Sequence, residues 1–178
     1  MTAEAGMAWT LWTARLAALL YVLALAVRIE QWRRPERWLW TAAWAVFAAH
    51  VSCAFAFVHR AGSLVGRHQL AYADTARQTA ALFGFAWGGG LWIDYLFTAV
   101  WTLDVTWWWL APTAYAARPR WASRTLHIFF AFLFFNAVIV FPAGWLRWAG
   151  VAAALLLFLR WRQRALEGPP ARLRPDKI

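Results

Sequence analysis

MAWTLWTARLAALLYVLALAV, residues 7–27, runs directly into RIEQWRRPER, residues 28–37. The first segment is an apolar run of the roughly 20 residues that a helix needs to cross a hydrocarbon core. The second places Arg28, Arg33, Arg34 and Arg37 in one short linker. An apolar run closed by clustered arginine reads as a span whose following loop stays in the cytoplasm. No basic segment precedes the run, and Arg15 interrupts it, so a retained span is expected and not a cleaved signal peptide.

Four more apolar runs follow, at 38–58, 91–111, 125–141 and 143–159. Pro142 and Gly144 mark the turn between the last two and favour a tight helical hairpin over one re-entrant unit. The expected fold is therefore all-α: a polytopic transmembrane helix bundle of five spans over residues 1–161, with an outer linker at 59–90 and a basic cytoplasmic tail at 162–178. Hydrophobic residues make up 63% of the chain and charged residues 15%, far from the balance of a soluble domain. The charge of +10 is not gathered on one polar helix or in a basic domain, which argues against a nucleic-acid partner and for the lipid bilayer as the main one.

Loop charge orients the bundle, because Lys and Arg are retained on the cytoplasmic side. The first linker, the third linker (Arg118, Arg120, Arg124) and the tail from Arg160 hold thirteen of the 18 Lys and Arg residues. The other side has Arg60, Arg67 and Arg77 in a longer linker and Arg147 near the hairpin. An inner-membrane protein with its N-terminus outside and C-terminus in the cytoplasm is expected. Fourteen of the 16 tryptophans fall near the expected surfaces, as interfacial anchors do, while Trp44 and Trp101 lie deeper and are expected to pack between helices. In the outer linker, Asp74 before Thr75–Phe83 and Gly84 after it predict a short capped amphipathic helix on the membrane surface.

Ionisable residues at membrane depth are costly and should face the bundle interior or a wet cavity. At helical rise, Arg15 and His50 lie roughly 12 Å below the outer surface, Asn136 about 8 Å and Asp94 about 5 Å. These residues form the candidate ligand or proton site, with an Arg15–Asp94 ion pair beside His50. Asp104 and His127 form a second candidate group about 10 Å and 3 Å from the inner surface, close enough to be linked directly or through water. Asp94 and Asp104 project within about 80° of one another, which predicts one polar, inward face on this helix.

His50, His59, His68, Asp74 and Asp94 are the candidate metal ligands, since imidazole and carboxylate suit Zn, Cu or Fe. Their spacing lacks any i, i+4 His pair, and the single Cys53 rules out a thiolate cluster. Haem at His50 would need an axial partner at its own depth. Neither metal nor haem is favoured over histidines that are simply satisfied, and the cofactor stays open. No nucleophile elbow, P-loop or kinase signature is present. Ala42, Ala45 and Ala49, and on the last span Gly150, Ala152, Ala153 and Ala154, are candidate contacts for a homo-oligomer.

The stretch from His50 to Trp109, containing Thr75–Thr79 and Gly88-Gly89-Gly90-Leu91-Trp92-Ile93-Asp94-Tyr95, resembles small multi-pass inner-membrane proteins of bacteria that have no assigned activity. The resemblance covers about a third of the chain and implies no activity. Three readings follow: a membrane protein binding a proton, metal or small ligand at the outer Arg/His/Asp site; a structural or accessory subunit of a larger membrane complex; and a membrane enzyme acting on lipid or quinone.

Overall fold

The structure, a computed structural model, describes residues 2–140 and 144–167, so Pro142 of the expected hairpin turn and the tail from residue 168 lie outside the described residues. Among the described residues there are seven α-helices and no strand: α1 (Ala3–Ile29), α2 (Arg33–Cys53), α3 (Leu64–Phe83), α4 (Gly90–Leu110), α5 (Pro112–Ala116), α6 (Arg120–Phe135) and α7 (Trp145–Glu167). α2 and α6 each continue as one wide π-helical turn, Ala54–Val58 and Asn136–Val140. Three helical stretches, Glu4–Ile29, Arg34–Val58 and Arg120–Val140, are long and apolar enough to cross a membrane.

All five apolar runs are helical, each set by local signals. Thr2 caps α1 by accepting the Ala5 N–H, and at the other end Gln31 takes a left-handed φ of 64° that turns the chain into α2. Pro112 opens α5, the position where its missing N–H costs nothing. One expectation needs correction. The linker helix is capped by Ser63, not Asp74: the Ser63 hydroxyl caps it through the Gly66 N–H, and Asp74 falls in its middle. Its expected end holds, with Gly84 in the left-handed conformation at φ 78°. Residues 162–167, the first part of the expected tail, are helical as the end of α7.

α1 and α2 form the most extensive helix pair, packed antiparallel through small residues. Ala17, Ala24 and Ala43 are buried there, and Gly6 comes so close to the π-turn of α2 that a methyl group on it would lie 2.6 Å from Phe57 Cγ. Lipid provides no hydrophobic drive between helices, so close backbone approach and dispersion must supply the attraction. The core behind this pair is aromatic. Trp101 of α4, fully buried, meets Trp40 at 5.3 Å, Phe47 at 5.4 Å, Phe97 at 5.2 Å and Phe130 at 5.3 Å between ring centres. Tyr21 of α1 stacks on Phe134 of α6 at 3.6 Å. Such tilted and edge-on ring pairs add roughly 0.5–1.5 kcal/mol each beyond burial.

Indole N–H groups stitch α2 to α4 across this core. Trp40 donates to Asp104 at 2.9 Å, Trp44 to the Thr102 hydroxyl at 3.0 Å, and Trp109 back to the Thr41 hydroxyl at 2.9 Å. Trp40 and Trp109, expected as surface anchors, are thus interhelical fasteners, and Trp44 packs between helices as expected. α7 is peripheral: it presents one face, including the buried Gly150, to the π-turn of α6, and a methyl on Gly150 would meet Val138 Cγ1 at 2.5 Å and the Val138 carbonyl oxygen at 2.9 Å.

Candidate functional site

The residues expected to build an outer site are dispersed into separate local contacts. Arg15 lies against the Trp12 ring, 5.0 Å from its centre, and no ion pair joins it to Asp94 among the described residues. The reason is direct: a partner one turn away on the same helix is available to the guanidinium without crossing the bundle. His50 Nδ1 lies 2.9 Å from the Thr10 carbonyl oxygen, so the imidazole donates to the α1 backbone and ties α1 to α2. Asn136 donates to the Phe132 carbonyl of its own helix at 2.7 Å. Asp94 is exposed and its side chain makes no hydrogen bond or ion pair among the described residues.

α3 engages the remaining outer residues. Asp74 pairs with Arg77 one turn along the helix and lies 2.9 Å from His59 Nδ1, close enough for an ion pair but off the line of a hydrogen bond. His68 Nδ1 meets the Tyr95 hydroxyl at 3.0 Å, with the Trp92 ring 5.2 Å away. The Thr79 hydroxyl accepts from the Trp87 N–H and donates to the Trp87 carbonyl, which fixes α3 onto the loop entering α4. Among the described residues, no three His, Cys, Asp or Glu side chains converge as a metal would require. The five candidate metal ligands therefore do not form one centre.

The best-developed polar constellation is at the other end, and the sequence pointed to only part of it. Asp104 is buried, and its carboxylate takes three donors: the Trp40 indole at 2.9 Å and the Tyr115 hydroxyl at 3.0 Å on Oδ2, and the Arg118 guanidinium at 2.9 Å on Oδ1. The Arg118 guanidinium stacks 3.8 Å from the Tyr115 ring centre, and Tyr115 in turn stacks on Trp108 at 4.7 Å. Arg118 also donates to Ser123 Oγ at 3.3 Å, and Arg28 approaches the same oxygen at 3.5 Å while holding the buried Glu36 at 2.6 Å. Burial and the neighbouring carboxylate push the Tyr115 phenol above its usual pKa, so it stays a donor.

This network replaces the expected Asp104–His127 link. His127 has no hydrogen-bond partner on either buried ring nitrogen and stands edge-on to Trp40, 6.0 Å between centres. The expected common inward face of Asp94 and Asp104 is likewise not formed, since Asp104 is buried and Asp94 exposed. Helical angle alone placed the two aspartates on one stripe; which part of the stripe is covered depends on α5 and α6 folding under one end only. Tyr115 and Arg118 were missed as partners because α5, five residues long, and the residues after it read as linker, and Trp40 because it reads as a surface anchor. The available signal was the Pro112 start with Tyr115 and Arg118 three residues apart.

A second clamp closes the same end. Glu30, just after α1, accepts from Arg160 Nε at 2.5 Å and pairs with Arg164, both on α7. Those two hydrogen-bonded guanidinia hold the Glu30 carboxyl down to about 2, and Glu30 raises Arg160 in return. Chemically, both oxygens of the Asp104 carboxylate and both of Glu30 are held by donors from the chain itself. They join α1, α2, α4, α5, α6 and α7 at one level. No protein-family model, curated protein or solved structure matches this chain.

Proposed function

We propose that this chain is a five-span protein of the bacterial inner membrane, N-terminus outside and C-terminus cytoplasmic, that serves as a structural or accessory subunit of a larger membrane complex. α4, with 21 residues, and α7, with 23, have the length for the two further spans, about 30 Å at helical rise. Five tryptophans and two aspartates lower the hydropathy of α4 without shortening it, and its aspartate at depth is neutralised by Arg118. α3 carries exposed Leu64, Val65, Leu82 and Phe83, which suits a helix lying on the outer membrane surface.

One observation carries the accessory reading: the polar groups at depth fasten helices, with both oxygens of Asp104 held by donors from three segments of the chain. A proton relay or metal site needs groups that converge on an open position, and the outer residues are dispersed instead. The test is extraction of the full chain from its native membranes in mild detergent, with mass determination and identification of the polypeptides present. A stoichiometric second polypeptide, in a particle well above the 20.4 kDa of this chain, is expected. A particle made of this chain alone, or one carrying a metal or an absorbing cofactor, overturns the reading.

A further inference from the structure

At the charged end of the bundle, α1 and α6 enclose an open cleft of about 420 Å³ lined by Arg28, Arg120, Ser123, Arg124, His127 and Ile128. The five α6 residues recur at spacings of three and four, so a single helix face forms one wall. Charge in the cleft is unbalanced. Arg28 is neutralised by Glu36 and the adjacent Arg118 by Asp104, but Arg120 and Arg124 have no carboxylate partner among the described residues. His127 adds a buried imidazole with neither ring nitrogen engaged by protein. Buried polar atoms are seldom left without a partner, and guanidinium groups with an imidazole and a hydroxyl are the donor set that recognises a phosphate.

The same face continues into the membrane as an apolar track. Ile128, Phe132 and Phe135 follow Arg124 at helical spacing and are 70%, 59% and 52% exposed. A free phosphate would have no use for that track, whereas a phospholipid seats its head group among the arginines and lays an acyl chain along the rings. We infer that the cleft between α1 and α6 binds the phosphate of an anionic phospholipid, with Arg120 and Arg124 supplying the surplus charge and Ile128, Phe132 and Phe135 receiving an acyl chain. The cleft lies at the charged end of α6 whichever way the bundle faces, and lipid binding there is independent of any protein partner.

Native mass spectrometry of the full chain in neutral detergent, titrated with dioleoyl phosphatidylglycerol or dioleoyl phosphatidylcholine, tests this. One phosphatidylglycerol should be retained saturably and more tightly than phosphatidylcholine. Arg120→Gln with Arg124→Gln should weaken it on the order of tenfold or more, since a basic side chain at a lipid surface contributes several-fold each. Arg120 and Arg124 are exposed, so circular dichroism should be unchanged in this variant. The control pair Arg34→Gln with Arg162→Gln removes equal charge elsewhere and should bind as the parent does. Equal weakening in both pairs means diffuse surface attraction, and absence of saturable binding means no site; either overturns the inference. Inorganic phosphate is the second probe: displacement of the lipid at millimolar phosphate would assign the cleft to a free anion and overturn the lipid assignment.

Discussion

Asp104 and Arg118 form a buried ion pair at 2.9 Å, their side chains only 5% and 8% exposed, and the same carboxylate is bonded by Trp40 and Tyr115. Two charges out of water repay their desolvation only when geometry and further hydrogen bonds are good, and here both oxygens of the carboxylate are engaged by three donors. Losing one partner is therefore worse than losing both. Asp104→Ala should cost roughly 3–5 kcal/mol by stranding Arg118, whereas Asp104→Leu combined with Arg118→Met should recover much of that loss. Thermal unfolding in detergent reads the difference. Strictly additive shifts would show that the two side chains do not act as a pair.

Gly6 and Gly150 both mark close helix contacts, but of different kinds. The nearest atoms to a methyl on Gly6 belong to the Phe57 side chain, whereas a methyl on Gly150 would meet the Val138 backbone oxygen at 2.9 Å as well as its side chain. Each glycine-to-alanine change should cost about 1–3 kcal/mol through overpacking. Phe57→Gly, which removes Cβ together with the ring, should largely cancel the cost of Gly6→Ala relative to Phe57→Gly alone, whereas Val138→Gly should fail to cancel that of Gly150→Ala, because the Val138 carbonyl oxygen stays in place. Melting temperatures of the single and paired variants would decide, and equal rescue at both sites would contradict the packing described.

The Glu30 clamp on α7 should be sensitive to acid. Its carboxyl falls from an ordinary 4.5 to about 2 in the folded state. A depressed carboxylate stabilises fully above its unfolded pKa, so the clamp is complete above about pH 4.5 and is lost as pH falls through about 2. Spin labels at the exposed Trp32 and Leu166 would report it as a lengthened and broadened distance at low pH. Glu30→Gln should reproduce the broadening at neutral pH, and an unchanged distance in that variant would mean that α7 is held by other contacts.

Orientation can be measured directly. The proposed topology puts thirteen of the 18 basic residues on one side, so a reporter fused after Ile178 should be cytoplasmic and one inserted at Gly62, which has open space around it, should be extracytoplasmic. A periplasm-active reporter at the C-terminus would invert the proposed topology.

His50 separates packing from binding on the outer side. Its ring donates to the Thr10 carbonyl, so His50→Phe should keep the shape and lose one interhelical bond, about 1 kcal/mol. The metal content of the purified protein should not differ between parent and variant. A metal present in the parent and absent from His50→Phe would restore the outer site as a ligand centre.

The helices themselves were legible in the chain. Apolar run length, the Gly84 cap and the Pro112 break are local properties, and local signals decide where a helix begins and ends. Even there, Ser63 out-competed Asp74 as a cap, because a helix extends upstream to whichever capping side chain its own turn can reach. The expected neighbourhood of Asp104 and His127 has a structural counterpart in Trp40, which bonds one and stands edge-on to the other.

Partner choice was not legible. Arg15 and Asp94, expected about 12 Å and about 5 Å below one surface, form no ion pair among the described residues, while Asp104 meets Arg118 across a chain reversal. Sequence by itself determined an all-helical chain with membrane-length apolar runs and a charged end, since hydropathy and arginine placement act residue by residue. Only the tertiary structure decided which buried charges meet, because that depends on the rotation of each helix about its axis and on a five-residue helix that turns Tyr115 and Arg118 under α4. A hydrogen bond tolerates only a few tenths of an ångström, and no pattern along one chain carries that precision between helices.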